Sequence, residues 1–447
     1  MPKILIILFI ISFTKSFGQT FSPIEIRADL AFLKERIEEI HPNPYKFIEQ
    51  SRFQQIYDSL YRVERSLTIK QTFVHYLNLT RSIHCGHSSI FVDERLIPPS
   101  NSNPKFLPLD VVIYDGRVFI SRNYSENHIL QKGIEIIDIE DIPMNRLLKN
   151  LSRYTFQNGD GVNAEVDNYY LQRNFRKLLY LFFEEQDELH LKVRLANKQE
   201  KSTNIMMKPL AYLREIEAER NPVKNVDFYK NIYLSDFDSK TSLLKIRSFD
   251  GNEFENGNFR NEISTIFKKL AQKQSKNLII DVRNNVGGGL DYADEILKYL
   301  LQKPYQRYQV SNSPNIKVKK KGLSASQFYE PTNEFLFRGN IYVWVNEGTF
   351  STAVYLAAHL KNQANVSLIG TTCGGAADGS SAGEFTSFTL PNTKFTVSLP
   401  LLKINYNTTS ALHLQPNFEV KQSLSDFLTG EDSVVLFTKE LLKGTKP

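Results

Sequence analysis

The sequence predicts an α/β fold: a layered α/β domain in the second half, behind an N-terminal helical cap and an α+β insert. Three patterns carry that expectation. From about Asn225 onward, apolar and β-branched runs such as Leu278-Ile279-Ile280 and Ile341-Tyr342-Val343-Trp344-Val345 alternate with helical stretches, as buried parallel strands with crossovers do. From Phe21 to Ile83 the apolar residues recur only at helical spacing. From Phe106 to Pro209 alternating runs flank Tyr114-Asp115-Gly116-Arg117, a hairpin signal.

Residues 1–18 read as a secretory signal peptide. Lys3 gives a positive start, Ile4 to Phe13 an apolar stretch, and Ser16-Phe17-Gly18 a small-residue cleavage site. No cysteine follows that site, so a lipid anchor is not expected. No other segment has the length and apolarity of a membrane span. The mature chain is expected to be exported to the periplasm or the extracellular space.

The cap is assigned to 19–100, ending in Ser82-Ile83-His84-Cys85-Gly86-His87-Ser88, a turn with two histidines. In the insert, 101–215, Gly133 is followed by the strand Glu135 to Ile139, a polar turn and a helix around Leu147-Leu148-Leu151. That succession reads as a PDZ-like unit, in which an exposed strand edge takes peptide ends by strand addition. Glu188 to Met207 supplies two closing strands. The α/β domain spans 225–430, with 303–337 read as a polar loop or lid. Leu424 to Leu442 closes the chain as helix, 431–447 forming its terminal segment.

A chain of 447 residues calls for two or three domains. Its +6 net charge comes without a basic cluster interleaved with aromatics, which argues against nucleic acid as a partner. The run Lys317-Val318-Lys319-Lys320-Lys321 sits among polar residues and reads as a solvated loop. Cys85 and Cys373 lack the ligand spacing of a zinc site.

Chemistry concentrates at Asn346-Glu347-Gly348-Thr349-Phe350-Ser351-Thr352-Ala353, a tight turn between a buried strand and a helix. Such a turn lifts a serine hydroxyl to the sheet edge and aims helix-start amides at whatever Ser351 attacks. The bland alternative is that Ser351 or Thr349 simply caps the helix. A second loop, Asn285-Val286-Gly287-Gly288-Gly289, can present backbone N–H groups to an anion. Together they suit acyl transfer, with Ser351 as nucleophile and Thr352 plus Gly287 or Gly288 as oxyanion donors. The serine needs a base, and His87 is chosen over His84, His359 and His413.

These residues resemble a known family. Asp281-Val282-Arg283-Asn284-Asn285-Val286-Gly287-Gly288-Gly289 is similar to the D-L-R-N-N-x-G-G signature of the C-terminal processing, or tail-specific, serine peptidases. The Ser351 turn and Ile369-Gly370-Thr371-Thr372-Cys373-Gly374-Gly375 match the elements that follow. Some members place a catalytic lysine where this chain has Gly375. The resemblance is therefore closer to the tricorn-core-like branch, whose base is a histidine in a G-H-T turn, here Gly86-His87-Ser88. His41-Pro42-Asn43-Pro44-Tyr45, Leu390-Pro391-Asn392 and Gln415-Pro416-Asn417 resemble further elements of exported bacterial members.

The resemblance implies a ClpP/crotonase-like catalytic domain, a PDZ-like domain, an extended polypeptide substrate such as an unfolded chain or a C-terminal tail, and neither metal nor cofactor. Two departures stand out. Gly86 replaces a serine before the base, and Ser410 stands where the branch supplies a glutamate. Asp378 is the candidate third residue. The resemblance also implies that Cys85 and Cys373, each flanking an active-site loop, lie close enough to form a disulfide worth on the order of 4 kcal/mol. Three other readings stay open: an inactive peptide-binding protein on the same scaffold, an esterase, and a thiol enzyme using Cys373.

Overall fold

The computed structural model describes residues 19–99, 102–220, 231–251, 259–313, 315, 328–408 and 411–444. The signal-peptide segment, the lysine run at 317–321 and Ser410 lie outside the described residues.

The amino-terminal unit is three helices, Pro23–Ile40, Gln50–Tyr61 and Ile69–Ser82. Two of them begin with reciprocal capping boxes, Ser22 with Glu25 and Thr68 with Gln71, which satisfy the first orphan amides of each helix. Ile26, Leu30, Leu33 and Ile37 form one buried stripe of the first helix. Asp29 lies on that same buried face. Its carboxylate accepts from Asn392 N at 2.8 Å, Asn392 Nδ2 at 2.9 Å, Thr393 N at 2.8 Å and Thr393 Oγ1 at 2.6 Å. The cap is thereby tied to the Leu390-Pro391-Asn392 turn of the sheet domain. Asp29→Ala would leave those donors buried and unpaired, and should cost about 3–5 kcal/mol of stability. Denaturant unfolding of the variant checks this; a loss within experimental error would mean the contact is idle.

The insert is an antiparallel sheet whose strands lie in the order Glu200–Met206, Glu188–Arg194, Glu135–Ile139, Arg117–Asn123, Leu109–Tyr114. The Asp115-Gly116 hairpin has positive φ at both central residues, 48° and 72°, the twist that matches a two-residue hairpin. The helix Met144–Leu151 follows the Glu135–Ile139 strand. Helices Ala164–Arg173 and Phe175–Phe183 were not anticipated. They meet at Asn174 without Gly or Pro, and the run Leu178 to Phe183 of the second is a short continuous apolar stretch that reads as readily as a buried strand.

The second half builds a sheet in the order Ile232–Asp236, Thr241–Ile246, Asn277–Asp281, Asn340–Val345, Val366–Gly370, Phe418–Glu419. Only the first pair is antiparallel. Strand residues alternate between two cores, as the two-residue period demands. Leu278, Ile280, Val343, Val345 and Leu368 share a core with the helices Phe259–Lys273, Leu290–Leu297 and Thr352–Lys361. Ile279, Trp344 and Ile369 face the other way, against Val434 of the helix Ser433–Leu442. Trp344 Nε1 donates to Thr438 Oγ1 at 2.9 Å, so the buried indole N–H is satisfied. The closing helix is interrupted, not continuous: Gly430, at φ 83°, ends Leu424–Thr429 before Ser433 begins the next.

The loop expected over 303–337 is partly ordered sheet. Tyr305–Gln306 pairs with Phe328–Tyr329, and Gln309–Asn312 pairs with the strand Thr396–Asn405. Of the polar residues that suggested a loop, Arg307 is buried and paired with Asp294 and Asp291. Thr396–Asn405 also carries Gly379–Thr389 on its other side and Ser89–Ile90 near its start. Among the described residues, no helix is long and apolar enough to cross a membrane.

Candidate active site

Parallel α/β sheets gather their ligands beyond the carboxyl ends of the strands. Here Asn277–Asp281 leads into the glycine loop, Asn340–Val345 into the Ser351 turn, and Val366–Gly370 into Gly374-Gly375. The three loops are bonded together: Phe350 N donates to Asn285 O at 2.9 Å, and Gly374 N to Thr349 O at 3.0 Å.

Ser351 has φ 54° and ψ −123°, a conformation a non-glycine residue adopts only when its surroundings impose it. Its hydroxyl accepts from no amide of the helix Thr352–Lys361, so it does not cap that helix. Thr349 is no cap either; its hydroxyl donates to Val282 O at 3.0 Å inside the core. The Ser351 Oγ lies instead 3.2 Å from His87 Nε2. The fold brings these two groups together from 264 residues apart in the chain.

His87 sits in the turn after the Ile69–Ser82 helix, where Ser88 N donates to Cys85 O at 3.0 Å. Its ring packs on Phe350, 4.6 Å between centroids, with Phe385 at 6.3 Å on the sheet edge. Gly86 permits that approach, since a Cβ there would meet Phe350 Cζ at 2.6 Å and Asn158 O at 2.8 Å. Burial holds His87 below its ordinary pKa, and the negative charge of Asp160 pushes partly back. His41 is a fully buried imidazole beside it, held at about 3 by burial and by His87, hence neutral.

Asp160 was not foreseen. It comes from Asn158-Gly159-Asp160-Gly161 in the insert and is 2% exposed. Its Oδ1 accepts from Gly86 N at 2.9 Å and its Oδ2 from Ala376 N at 3.3 Å. Asp160 N donates to Gly374 O at 2.9 Å, and Gly161 N to His84 O at 2.8 Å. A carboxylate oxygen of Asp160, a ring nitrogen of His87 and Cys85 Sγ all lie within 4.8 Å of one another. The sequence signal was there, an acid flanked by glycines between two structured stretches, but nothing in it pointed to His87.

Asp378, the expected third residue, does not fill that place. Its carboxylate takes Lys46 Nζ at 2.7 Å, and it lines a separate cavity of about 600 Å³ with Lys46, Lys403 and Asn405. Gly287 is likewise corrected as an oxyanion donor, because its N–H is held by Asn285 Oδ1 at 2.9 Å. Its role is steric: at φ +102°, an added Cβ would lie 2.7 Å from Ser351 Cβ. The Gly288 N–H has no protein partner among the described residues. Thr352 N belongs to the first helical turn, whose amides lack intrahelical acceptors. Thr352 Oγ1 donates to Gly288 O at 2.6 Å, which fixes the loop against the helix start.

The expected disulfide is absent. Cys85 and Cys373 are both buried free thiols, the first in the core shared with the helical cap and the second in the core of the parallel sheet. Burial pushes the Cys85 thiol up to about 12 and the Cys373 thiol higher still, which removes Cys373 as a nucleophile. His359 packs between Tyr305 and Tyr355, and burial takes it to about 4.

Beside Ser351 opens a cleft of about 310 Å³ with Leu290, Ala382 and Ile404 on its walls and Glu384 among its lining residues. Tyr406 is at its base, with its hydroxyl 3.1 Å from Ser380 Oγ and close to Ser351; burial raises its pKa and keeps it protonated.

The family model for peptidase family S41 matches residues 240–418. The carboxy-terminal processing protease CtpA of Bacillus subtilis (strain 168) is 26% identical over 179 residues, which is 38% of this chain and 35% of that protein's own length. A solved structure of mature CPAF complexed with lactacystin superposes with a TM-score of 0.68 at 13% identity, over 95% of this chain and 99% of that one. A second structure of mature CPAF gives 0.65 at 12% identity with the same coverage. At such identities the likeness to CPAF is one of fold. The glycine loop, the Ser351 turn and the strands that carry them all fall inside the region that is similar to peptidase family S41.

Proposed function

We propose that this protein is an exported serine endopeptidase that cleaves extended polypeptides through an acyl-enzyme on Ser351, with His87 as general base. One observation carries the reading: an uncapped, strained serine whose Oγ lies 3.2 Å from the Nε2 of a half-buried histidine. His87 Nε2 takes the hydroxyl proton as Ser351 Oγ attacks the scissile carbonyl. The developing oxyanion takes hydrogen bonds from Gly288 N–H and Thr352 N–H, aided by the positive end of the helix Thr352–Lys361. The imidazolium then returns the proton to the leaving amine, and water repeats the cycle to release the acyl group. Asp160 lies close enough to favour the His87 cation by charge, which supports it as the positioning residue for the base.

An extended substrate suits the site. Gly379–Thr389 is an edge strand of its sheet among the described residues, and it runs past the cleft and His87. A peptide laid along it would gain main-chain hydrogen bonds and place a side chain in the apolar cleft. In the insert, a cavity of about 940 Å³ beside the edge strand Leu109–Tyr114 includes Arg122, Lys132, Arg173 and Arg176 along with Asp110, Arg176 pairing with Asp110 and Arg122 with Glu217. That chemistry suits the carboxylate end of a polypeptide and supports a PDZ-like role. Export rests on Lys3, the apolar run Ile4 to Phe13 and Ser16-Phe17-Gly18.

The test is intact mass and peptide mapping after exposure to a fluorophosphonate. A single adduct on Ser351 is expected. Labelling elsewhere, or none even with an unfolded protein present, would leave a peptide-binding scaffold without catalysis.

A further inference from the structure

We propose that Cys85, His87 and Asp160 form a binding site for a thiophilic divalent cation of the zinc class, and that its occupation switches Ser351 off. The second half of this statement rests on the reading of His87 as the base of Ser351; the first half does not.

The donors are already assembled. Cys85 Sγ, a His87 ring nitrogen and an Asp160 oxygen lie mutually within 4.8 Å. Zinc bonds sulfur at about 2.3 Å and nitrogen or oxygen at about 2.0 Å, so tetrahedral ligands stand roughly 3.5 Å apart. Closing the present triangle to that size takes a movement of about 1 Å. Cys85 is 3% exposed and Asp160 2%, while His87 is half-buried, so two donors come from the interior and the third stands between them and the cleft of Ser351.

A second observation points the same way. With Nε2 of His87 turned to Ser351, Nδ1 is the remaining ring nitrogen, and it is buried without a hydrogen-bond partner. A buried orphan nitrogen beside a thiol and a carboxylate is an incomplete polar cluster, and a cation completes it. The carboxylate is pre-aimed by Gly86 N–H and Ala376 N–H, the kind of outer contact that orients metal ligands. One sulfur and one imidazole select zinc-like ions over magnesium and calcium, which prefer oxygen. Ligand spacing along the chain does not reveal the site, because Asp160 joins Cys85 and His87 only in the fold.

The switch follows from proton placement. In the resting site the imidazole proton is on Nδ1, and the lone pair of Nε2 faces the Ser351 hydroxyl. Binding releases the Cys85 thiol proton to solvent, and the thiolate and carboxylate offset the ion's two charges. Nδ1 gives its lone pair to the metal, so the neutral ring carries its proton on Nε2. Nε2 then donates to Ser351 Oγ and no longer accepts from it. No electron is transferred, and the metal takes no part in peptide cleavage.

The experiment uses mature protein stripped with chelator and then titrated with zinc chloride. Metal per chain is read by elemental analysis after gel filtration, and the rate of fluorophosphonate labelling is read alongside. One zinc per chain is expected, with labelling slowed at least about 100-fold, the lower range for losing a general base. Chelator should restore the rate, and magnesium or calcium should leave it unchanged. The Ser351→Ala protein should still bind one zinc, which separates failure of the metal site from failure of the peptidase reading. Cobalt absorbance in the unmutated protein should carry a thiolate charge-transfer band, lost in Cys85→Ala. No bound zinc, a cobalt spectrum without the thiolate band, or full zinc occupancy in Cys85→Ala would each overturn the site. Full occupancy with unchanged labelling would overturn the switch.

Discussion

Replacing Ser351 with alanine should lower kcat/KM on an unfolded polypeptide by about 10⁵–10⁶-fold, and His87→Ala should do nearly the same. Either change breaks one unit, the 3.2 Å contact through which the proposed proton transfer to Nε2 would run. Without the base the hydroxyl is a poor nucleophile; without the hydroxyl the base has nothing to activate. The double variant should therefore be scarcely slower than either single one. What remains comes from substrate positioning and the Gly288 and Thr352 amides, which neither change touches. The folded state should survive, because Ser351 neither caps its helix nor holds a core contact through its hydroxyl. Additive losses, or a Ser351→Ala protein that cleaves at the normal rate, would remove this pair from the centre of the chemistry.

Asp160→Asn should reduce kcat by about 10²–10⁴-fold while KM changes little. The upper end is the cost of neutralising the buried carboxylate of a serine peptidase triad. Asparagine keeps an oxygen for Gly86 N–H, so the turn can remain in place while the charge is lost. A role confined to structure would then cost little. The pH profile separates the two. Burial already holds His87 below its ordinary pKa, and Asp160 is the charge that raises it. Removing that charge lowers the pKa further, so the acid limb of kcat/KM should move to lower pH as the plateau falls. An acid limb that stays put, with the plateau unchanged, would show that Asp160 does not act on the base.

Much of this arrangement was legible in the sequence, and the exceptions have physical causes. The parallel strands announced themselves because both their faces are buried, giving continuous apolar runs such as Leu278-Ile279-Ile280. Ser351 and the glycine loop were legible because a strained turn and a backbone-donor loop need particular small residues at fixed places. Asp160 was hidden because its meaning lies in two amide contacts and one charge, none local in sequence. Asp378 looked right by proximity to Gly374-Gly375, yet Lys46, arriving from the helical cap, takes its carboxylate. The cysteines flank active-site loops as expected, but they enter separate cores, and flanking a site does not bring sulfurs together. Ala164–Arg173 was hidden because it buries only Val166, Tyr170 and Leu171, and Phe175–Phe183 because its continuous apolar run Leu178 to Phe183 fits a buried strand as well as a helix.

If Ser351, His87 and Asp160 act together as proposed, the junction at Asp160 also bears on when during synthesis the site can be assembled. Base, carboxylate and nucleophile are supplied by three segments made at well separated times, and the first must wait for the last. The strand Phe418–Glu419 and the helix Ser433–Leu442, which complete the edge and the second face of the sheet, are made later still. On the proposed reading of Ser351 and His87, an unfinished copy would hold each of these groups apart from the others. Chain order would then set the timing, because the sheet that carries the Ser351 turn gains its second covering face only when the helix Ser433–Leu442 packs on Ile279, Trp344 and Ile369.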